Sequence, residues 1–277
     1  MPLSLRPLTP LFGAQVLDLD PREPLSAPAI DALGDALRDH RVLLFRDAPL
    51  TEEQQVRLTQ VAGVLTYRGY GAYTDRTKRS SLVSNAHPDG MFGTGELSFH
   101  SDLSFTPHIL KARSLHALML PSRPEAGGET LFSDVQTACD ELEPALKAAV
   151  EPLRARFAAV YDFGDRQETV EFVRPLIGTH PQTGRRFIAA SRAVTKEVIG
   201  MERSAFRPLL KALWAHMEQP GYVYRHTWRL GDTLFWDNVA VQHARTPFDP
   251  AEKRALRAVS VDAPEVAVGA SAAAAAG

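Results

Sequence analysis

Ser98-Phe99-His100-Ser101-Asp102-Leu103-Ser104-Phe105 is an aromatic, β-favouring run that holds an imidazole and a carboxylate two residues apart. In a β-strand, residues i and i+2 point to the same face of the sheet. We therefore expect the run to form a strand from which His100 and Asp102 project together. A second histidine would complete the 2-His-1-carboxylate ligand set that is typical of non-haem Fe(II).

The second histidine has to come from another part of the chain. His243 is the stronger candidate, because it follows the strand-like segment 233–236 closely and precedes Arg245. His226, on the alternating run from Tyr222 to Trp228, is the second candidate. A single histidine is more often a structural or surface residue than a metal ligand, and we expect this of the other histidines, namely His40, His87, His108, His116, His180 and His216.

Strand-like segments dominate the chain. We predict strands within 14–19, 41–46, 81–85, 98–105, 112–120, 129–132, 157–161, 173–177, 187–190, 222–228, 233–236 and 255–261. Helical periodicity covers 28–39, 51–61, 135–150 and 206–219, and Thr51 with Gln54 is close to a capping box. Segments 222–228 and 233–236 are predicted to fold back on each other through the turn at Gly231-Asp232. This pattern favours a β-rich α+β fold, a double-sheet jelly roll with flanking helices.

Length and composition limit the classes of protein to consider. The 277 residues are expected to form a single domain over 1–265, followed by a mobile, Ala-rich tail over 266–277. The 31 basic and 33 acidic residues nearly cancel, so the charge indicates neither nucleic acid nor a membrane surface as a partner. The sequence leaves a homo-oligomer open.

Cysteine content and the N-terminal residues predict a cytoplasmic protein. The single cysteine, Cys139, rules out an internal disulfide framework and is typical of a reducing compartment. The first ten residues lack the apolar core of a signal peptide, and the apolar stretches of the chain are all interrupted.

Four segments in a fixed order resemble the signatures of one known family. They are Phe99-His100-Ser101-Asp102-Leu103-Ser104-Phe105, Gly127-Gly128-Glu129-Thr130-Leu131-Phe132-Ser133-Asp134, Trp236-Asp237-Asn238 leading to Gln242-His243, and Lys253-Arg254. In this order they resemble the taurine dioxygenase and 2,4-dichlorophenoxyacetate dioxygenase family. The resemblance covers about residues 5 to 262 and includes the N-terminal strand and helix order.

The resemblance implies an Fe(II)- and 2-oxoglutarate-dependent oxygenase on a double-stranded β-helix. His100, Asp102 and His243 match the three iron ligands of the family, Thr130 matches the hydroxyl that binds the distal carboxylate of 2-oxoglutarate, and Arg254 matches its salt-bridge partner. Three protein ligands leave three coordination sites, two for 2-oxoglutarate and one for O₂. Arginine suits the distal carboxylate because its planar guanidinium bonds it at two points.

Strand parity favours Arg254 over Arg257 as the cosubstrate residue. If Arg254 points into the barrel, Leu256, Ala258 and Ser260 do so too. Arg257 then points outward, where a solvated charge or a structural pair is expected. Asp237 and Asn238 are interpreted as turn residues that orient the site rather than as ligands.

The implied reaction couples decarboxylation of 2-oxoglutarate, giving succinate and CO₂, to hydroxylation of an unactivated C–H bond in a small molecule. An amino acid, a secondary metabolite and an organic acid all remain open as substrates. If the hydroxylated carbon carries a heteroatom, the product collapses, so cleavage of a sulfonate or an aryloxy acid is an alternative. A non-catalytic jelly-roll binding module is the alternative from another class, but it would be expected to lack a ligand, and none is missing.

The substrate is expected to differ from that of the taurine-specific member. That member holds the sulfonate with an arginine four residues beyond the cosubstrate arginine, where this chain has Ala258. Glu96 stands where that member has an amide, and a carboxylate there could receive an amine or simply be solvated. The candidate substrate contacts, chosen by position, are Tyr70, Tyr73, Asn85, Glu96 and Phe105.

Overall fold

A computed structural model describes residues 3–66, 77–162 and 166–262 of the chain, which form a mixed, strand-rich α/β structure. The helices in these residues are α1 (Ala27–His40), α2 (Glu52–Thr59), α3 (Val135–Asp140), α4 (Pro144–Val150) and α5 (Arg203–Met217). None of them combines the length and the apolar character that a membrane crossing requires.

The strands of the described residues are numbered in chain order. They are β1 (Leu5–Pro7), β2 (Ala14–Val16), β3 (Val42–Phe45), β4 (Val64–Thr66), β5 (Ser81–Ser84), β6 (Gly90–Met91), β7 (Leu97–His100), β8 (Ala112–Met119), β9 (Thr130–Asp134), β10 (Arg154–Asp162), β11 (Gln167–Pro175), β12 (Ile177–Thr179), β13 (Arg186–Ile188), β14 (Thr195–Val198), β15 (Val223–His226), β16 (Thr233–Asp237), β17 (Val241–Arg245) and β18 (Ala255–Asp262).

Two sheets carry the centre of the fold. The larger has the order β1-β2-β3-β16-β8-β18-β5-β6, with β4 also paired to β18, and the smaller has the order β15-β9-β17-β7. The remaining strands form the three-stranded sheet β11-β10-β14 and the hairpin β12-β13. The hairpin confirms the turn that the sequence predicts between 173–177 and 187–190.

An apolar cluster joins the two central sheets. Leu234, Trp236 and Leu256 of the larger sheet pack in one cluster with Phe132 and Val241 of the smaller sheet. Each of these side chains is almost fully buried. Burial of one side chain of this size contributes about 1.5–3 kcal/mol, so this shared core holds the sheets together.

The opposite face of the larger sheet is covered by the N-terminal helices. Phe235 of β16 packs with Leu33 and Leu37 of α1 and with Leu58 of α2. Its neighbours Leu234 and Trp236 pack in the cluster between the two central sheets. Strand β16 is therefore buried on both faces, which explains its continuous apolar sequence. The capping box of α2 is confirmed, since Thr51 and Gln54 exchange side-chain to backbone hydrogen bonds.

The structure corrects two predicted elements. The helix predicted over 135–150 is divided into α3 and α4, because Glu143 caps a new helix that starts at Pro144. The predicted pairing of 222–228 with 233–236 is wrong, since β15 pairs with β9 whereas β16 pairs with β3 and β8. Strands β1, β4, β6, β14 and β17 are absent from the sequence prediction, and the tail 266–277 lies outside the described residues.

Candidate functional site

His100, Asp102 and His243 form a cluster whose potential ligand atoms all lie within 4.8 Å of one another. His100 ends β7, and its Cα pairs directly with that of His243 on the neighbouring antiparallel strand β17. The sheet therefore supplies both imidazoles. His226, the second candidate, lies on β15, which β9 separates from β17.

Asp102 reaches the cluster in a way that the strand argument did not predict. The strand ends at His100, and Asp102 lies in a turn in which Leu103 has a φ of 56°. The side chain of Asn238 holds this turn, because its Oδ1 accepts from the amide of Asp102 and its Nδ2 donates to the carbonyl of Asp102, each at 3.0 Å. The same Nδ2 also bonds the carbonyl of Leu110.

Both imidazoles present Nε2 towards the Asp102 carboxylate. Nδ1 of His100 lies 2.8 Å from the carbonyl oxygen of Ser98, so it carries the hydrogen and Nε2 is free to act as a ligand. Nε2 of His100 and Nε2 of His243 lie 3.8 and 3.5 Å from oxygens of Asp102. Burial, with His100 adding to it, lowers the pKa of His243 to about 3, so this imidazole is neutral and able to bind a metal.

Arg113 fixes the Asp102 carboxylate. Its guanidinium lies 2.9 Å from Oδ1 of Asp102, and both side chains are nearly buried. Burial alone would raise the pKa of Asp102, but Arg113, His243 and His100 outweigh it and lower the pKa to about 2. Arg113 comes from the apolar strand β8, and the sequence contains no signal for this contact.

The donor set fits a divalent transition metal. Oδ2 of Asp102 is buried and has no hydrogen-bond partner within the described residues. A buried carboxylate oxygen without a partner is costly, and two imidazoles with one carboxylate on one side of a centre are typical of non-haem iron. The residues present therefore fit the ion that the sequence predicted.

Arg254 is a buried cation in the same cavity. It is 1% exposed, and its Nε and Nη1 have no hydrogen-bond partner among the described residues. Burial, with Arg245 nearby, lowers its pKa to about 9, so it is still charged at neutral pH. An unpaired buried charge is strongly unfavourable, and this arginine fits a ligand carboxylate such as the distal one of 2-oxoglutarate.

Two neighbours set the position of Arg254. Oδ1 of Asn85 accepts a hydrogen bond from the backbone N–H of Arg254 at 2.9 Å, and the backbone N–H of Asn85 donates to the backbone carbonyl of Arg254. Gly128 has a φ of +86°, and a Cβ there would lie 3.1 Å from Cδ and Nε of Arg254. Gly128, two residues before Thr130, thus leaves space for the arginine side chain.

Arg257 lies outside the cavity. Its Nε donates to Oε1 of Gln55 at 2.7 Å, and its Nη2 donates to the carbonyl of Leu50 at 2.6 Å. It therefore has a structural pairing, one of the two surroundings that are expected for an outward-pointing Arg257. Thr130, in contrast, begins β9 and lines the cavity together with Arg254 and the His-Asp-His cluster.

Phe92 and Arg245 are cavity residues that the sequence did not identify. Phe92 is 53% exposed at the edge of the cavity and has a φ of 69°, which is rare for a bulky side chain. Nη2 of Arg245 donates to the carbonyl of Phe92 at 2.7 Å and also to that of Gly95. Arg245 could have been predicted to face the cavity because it lies two residues after His243 on the same strand. The sequence contains no such signal for Phe92.

Among the candidate substrate residues that the structure describes, Asn85, Glu96 and Phe105 lie in different surroundings. Phe105 packs in an apolar cluster beside Tyr161, with ring centroids 5.9 Å apart. Asn85 supports Arg254 through hydrogen bonds, and Glu96 is exposed. Tyr70 and Tyr73 lie outside the described residues.

Comparison with known proteins gives a consistent result over nearly the whole chain. The family model described as taurine catabolism dioxygenase TauD, TfdA family, matches residues 4–260. The chain is 30% identical over 282 residues to the alpha-ketoglutarate-dependent 2,4-dichlorophenoxyacetate dioxygenase of Cupriavidus pinatubonensis, covering 93% of this chain and 96% of that protein. It is 33% identical over 205 residues to the pentalenolactone F synthase of Streptomyces arenae, covering 64% and 67%.

A solved structure is also similar to this chain in its fold. AAD-2 in complex with Mn(II) and N-oxalylglycine superposes with a TM-score of 0.81 at 28% identity. The match covers 97% of this chain and 100% of that one.

Proposed function

Because the chain belongs to the TauD/TfdA family of dioxygenases, we propose that its cavity carries the oxidation of a small molecule at an unactivated C–H bond. The enzyme is an oxidoreductase whose cofactors are Fe(II), 2-oxoglutarate and O₂. The observation that carries the assignment of residues is that the His100, Asp102 and His243 cluster and the buried Arg254 line one cavity.

We assign the metal to His100, Asp102 and His243 and the distal carboxylate of 2-oxoglutarate to Thr130 and Arg254. Bound Fe(II), with 2-oxoglutarate and O₂, supplies the oxidant for the C–H bond while 2-oxoglutarate becomes succinate and CO₂. Asn238 orients Asp102 through its backbone, and Arg113 keeps the carboxylate ionised with one oxygen free. The buried walls exclude water from the reacting groups.

The architecture that we propose is a double-stranded β-helix, or jelly roll, within a single domain over 1–265. Its support is the pair of four-stranded arrays β16-β8-β18-β5 and β15-β9-β17-β7, which share one apolar core. A cytoplasmic location is part of the proposal, because the single cysteine of the chain, Cys139, is a free thiol, as is typical of a reducing compartment.

For the substrate we propose an organic acid or secondary metabolite with an apolar body. Phe92, Leu97 and Val83 give the cavity apolar walls. Ala258 packs in the apolar cluster with Leu115, at the position where the taurine-specific member has its sulfonate arginine. The relative that oxidises 2,4-dichlorophenoxyacetate is named for a substrate of this kind, an aromatic ether with a carboxylate. If the oxidised carbon carries such an ether oxygen, hydroxylation leads to cleavage.

The test is succinate formation from 2-oxoglutarate with Fe(II) and O₂, measured with a panel of phenoxy acids, alicyclic acids and taurine. We expect iron-dependent succinate that rises with an apolar acid and not with taurine. The His100→Ala variant is the control, and equal succinate from it and from the wild-type protein would reject the proposal. For the acid that stimulates turnover, Phe92→Ala should raise its KM about tenfold and leave the affinity for 2-oxoglutarate unchanged.

A further inference from the structure

Trp228 donates a hydrogen bond from its indole nitrogen to Oγ1 of Thr130 at 3.0 Å. Thr130 is 3% exposed and lines the cavity that contains Arg254. A hydroxyl has one hydrogen and two lone pairs, whereas an indole N–H can only donate. Because Trp228 occupies a lone pair of Oγ1, the hydroxyl hydrogen points away from the indole and is available to an acceptor elsewhere.

The indole of Trp228 packs against His226, which belongs to a buried network of polar side chains. Its ring meets His226 edge-on, with centroids 4.6 Å apart and an interplanar angle of 87°. His226 is fully buried, bonds the Tyr224 hydroxyl through Nδ1 at 2.9 Å and has Nε2 3.2 Å from Asp232. Arg46 in turn bonds Asp232 at 2.6 Å.

His226 and Thr130 are also paired positions of β15 and β9. The residue that supports the indole and the residue that receives its hydrogen bond therefore belong to one rigid strand pair. A small displacement of a binding group is costly for a bound ligand, and this arrangement limits the rotation of the Thr130 side chain.

We propose that Trp228 is a positioning residue for the cosubstrate, which fixes the Thr130 hydroxyl so that its O–H donates to the distal carboxylate of 2-oxoglutarate. The inference rests on the proposed function, since it takes the cavity to bind 2-oxoglutarate. It assigns a role to an indole whose hydrogen bond goes to neither the metal ligands nor Arg254. Its consequence is that the indole N–H contributes to cosubstrate affinity only through Thr130.

The experiment is a double-mutant cycle on 2-oxoglutarate binding to the Mn(II)-loaded protein, measured by isothermal titration calorimetry. The variants are Trp228→Phe, Thr130→Val and their combination. Phenylalanine keeps the aromatic packing on His226 and removes the donor. We expect Trp228→Phe to weaken binding about three- to tenfold, the effect of one lost hydrogen bond, and to have an effect below about 1.5-fold when Thr130→Val is already present.

Three controls separate positioning from a general structural effect. Mn(II) affinity should be unchanged by Trp228→Phe, and kcat at saturating 2-oxoglutarate should be retained while the KM for this cosubstrate rises. Trp214 is a partly buried tryptophan that stacks on Arg192. The Trp214→Phe variant should therefore leave 2-oxoglutarate binding unchanged. Thr130→Ser should restore the sensitivity to Trp228→Phe, because it returns the hydroxyl.

The outcomes distinguish this inference from the proposed function. Equal weakening by Trp228→Phe with and without Thr130→Val, or no weakening at all, would overturn the positioning role. Absence of 2-oxoglutarate binding to the wild-type protein would instead reject the proposed function. If Trp228→Phe does not fold, the same cycle with Trp228→Leu decides between these outcomes, with thermal unfolding measured for each variant.

Discussion

His100 and His243 are directly paired residues on the neighbouring antiparallel strands β7 and β17, and their ring centroids lie 4.3 Å apart. The distance between the two imidazoles is therefore set by the backbone hydrogen bonds of a sheet rather than by loops. Sites built on rigid elements hold their geometry more closely than sites on loops. Of the three proposed ligands, it is the carboxylate of Asp102 that depends on a turn.

Removal of either imidazole should abolish tight metal binding. We expect His100→Ala and His243→Ala each to lower Mn(II) affinity by at least about 100-fold, measured by calorimetry on metal-free protein. His216→Ala is the matched control, since His216 bonds the carbonyl of Ala138 at 2.8 Å on a different part of the surface. A metal affinity that survives in His243→Ala would contradict the assigned ligand set.

Asn238 should matter for metal binding although it is not a ligand. Asn238→Ala removes three hydrogen bonds to the Asp102 turn and to Leu110, so Mn(II) affinity should fall about 10- to 100-fold. Asn238→Asp keeps the acceptor for the Asp102 amide and loses both donors, and an intermediate loss is expected. Asn85→Ala serves as the control, because Asn85 supports Arg254 and should leave metal affinity unchanged.

The cosubstrate should distinguish between the two arginines at the start of β18. Arg254→Lys should weaken 2-oxoglutarate binding to the Mn(II)-loaded protein about 10- to 100-fold, since an ammonium loses the two-point contact with a carboxylate. Arg257→Lys is the matched control, because Arg257 bonds Gln55 and the carbonyl of Leu50. Because both variants keep the positive charge, similar losses in the two would show a general structural effect of the substitution and would contradict a specific contact between Arg254 and 2-oxoglutarate.

The strand pattern identified the parts of the site that lie on regular structure. Alternation along the chain singles out His100 and favours Arg254 over Arg257, whereas the cosubstrate role of Arg254 comes from the family resemblance. His243 is preferred to His226 because it closely follows the segment 233–236. That choice could not be proved from the pattern, because both histidines lie in strand-forming runs. The order β15-β9-β17-β7 favours His243, because it places His226 on a strand that does not touch β7.

Contacts between strands that are distant in sequence could not be predicted. Arg113 reaches Asp102 because β8 pairs with both β16 and β18, with Arg113 opposite Trp236 and Ser260. That register depends on the whole sheet and leaves no local pattern in the apolar run 112–120. The position of Asp102 likewise depends on Asn238, which is 136 residues away in the chain.

Gly128 should be required for its space and not only for its backbone conformation. A Cβ at Gly128 would lie 3.1 Å from Arg254, whereas Gly200 has a similar φ of +76° and a Cβ there would have no atom within 4 Å. Both alanine variants should lose about 1 kcal/mol of stability from left-handed strain. Only Gly128→Ala should also weaken 2-oxoglutarate binding, by about tenfold. Equal binding by the two variants would contradict the steric argument.

His116 is a buried histidine whose hydrogen bonds require the neutral form. Its Nε2 accepts from the amide of Leu50 at 3.2 Å, and its Nδ1 lies 2.8 Å from Oγ1 of Thr233. A proton on Nε2 would face the Leu50 N–H and would have no acceptor. Burial, with Arg257 nearby, lowers the pKa of His116 from 6.5 to about 4.

Acid should therefore destabilise the protein through His116 well before the carboxylates are protonated. Between pH 6.5 and 4 the unfolded chain binds a proton at this residue that the folded protein does not, so stability falls as pH falls. The expected slope is about 1.4 kcal/mol per pH unit. Urea unfolding at pH 7 and pH 5 should show a smaller loss in His116→Gln than in the wild-type protein, with exposed His87→Gln as the control for loss of one histidine. An unchanged loss in His116→Gln would mean that His116 is already protonated in the folded state or that its burial has no energetic effect.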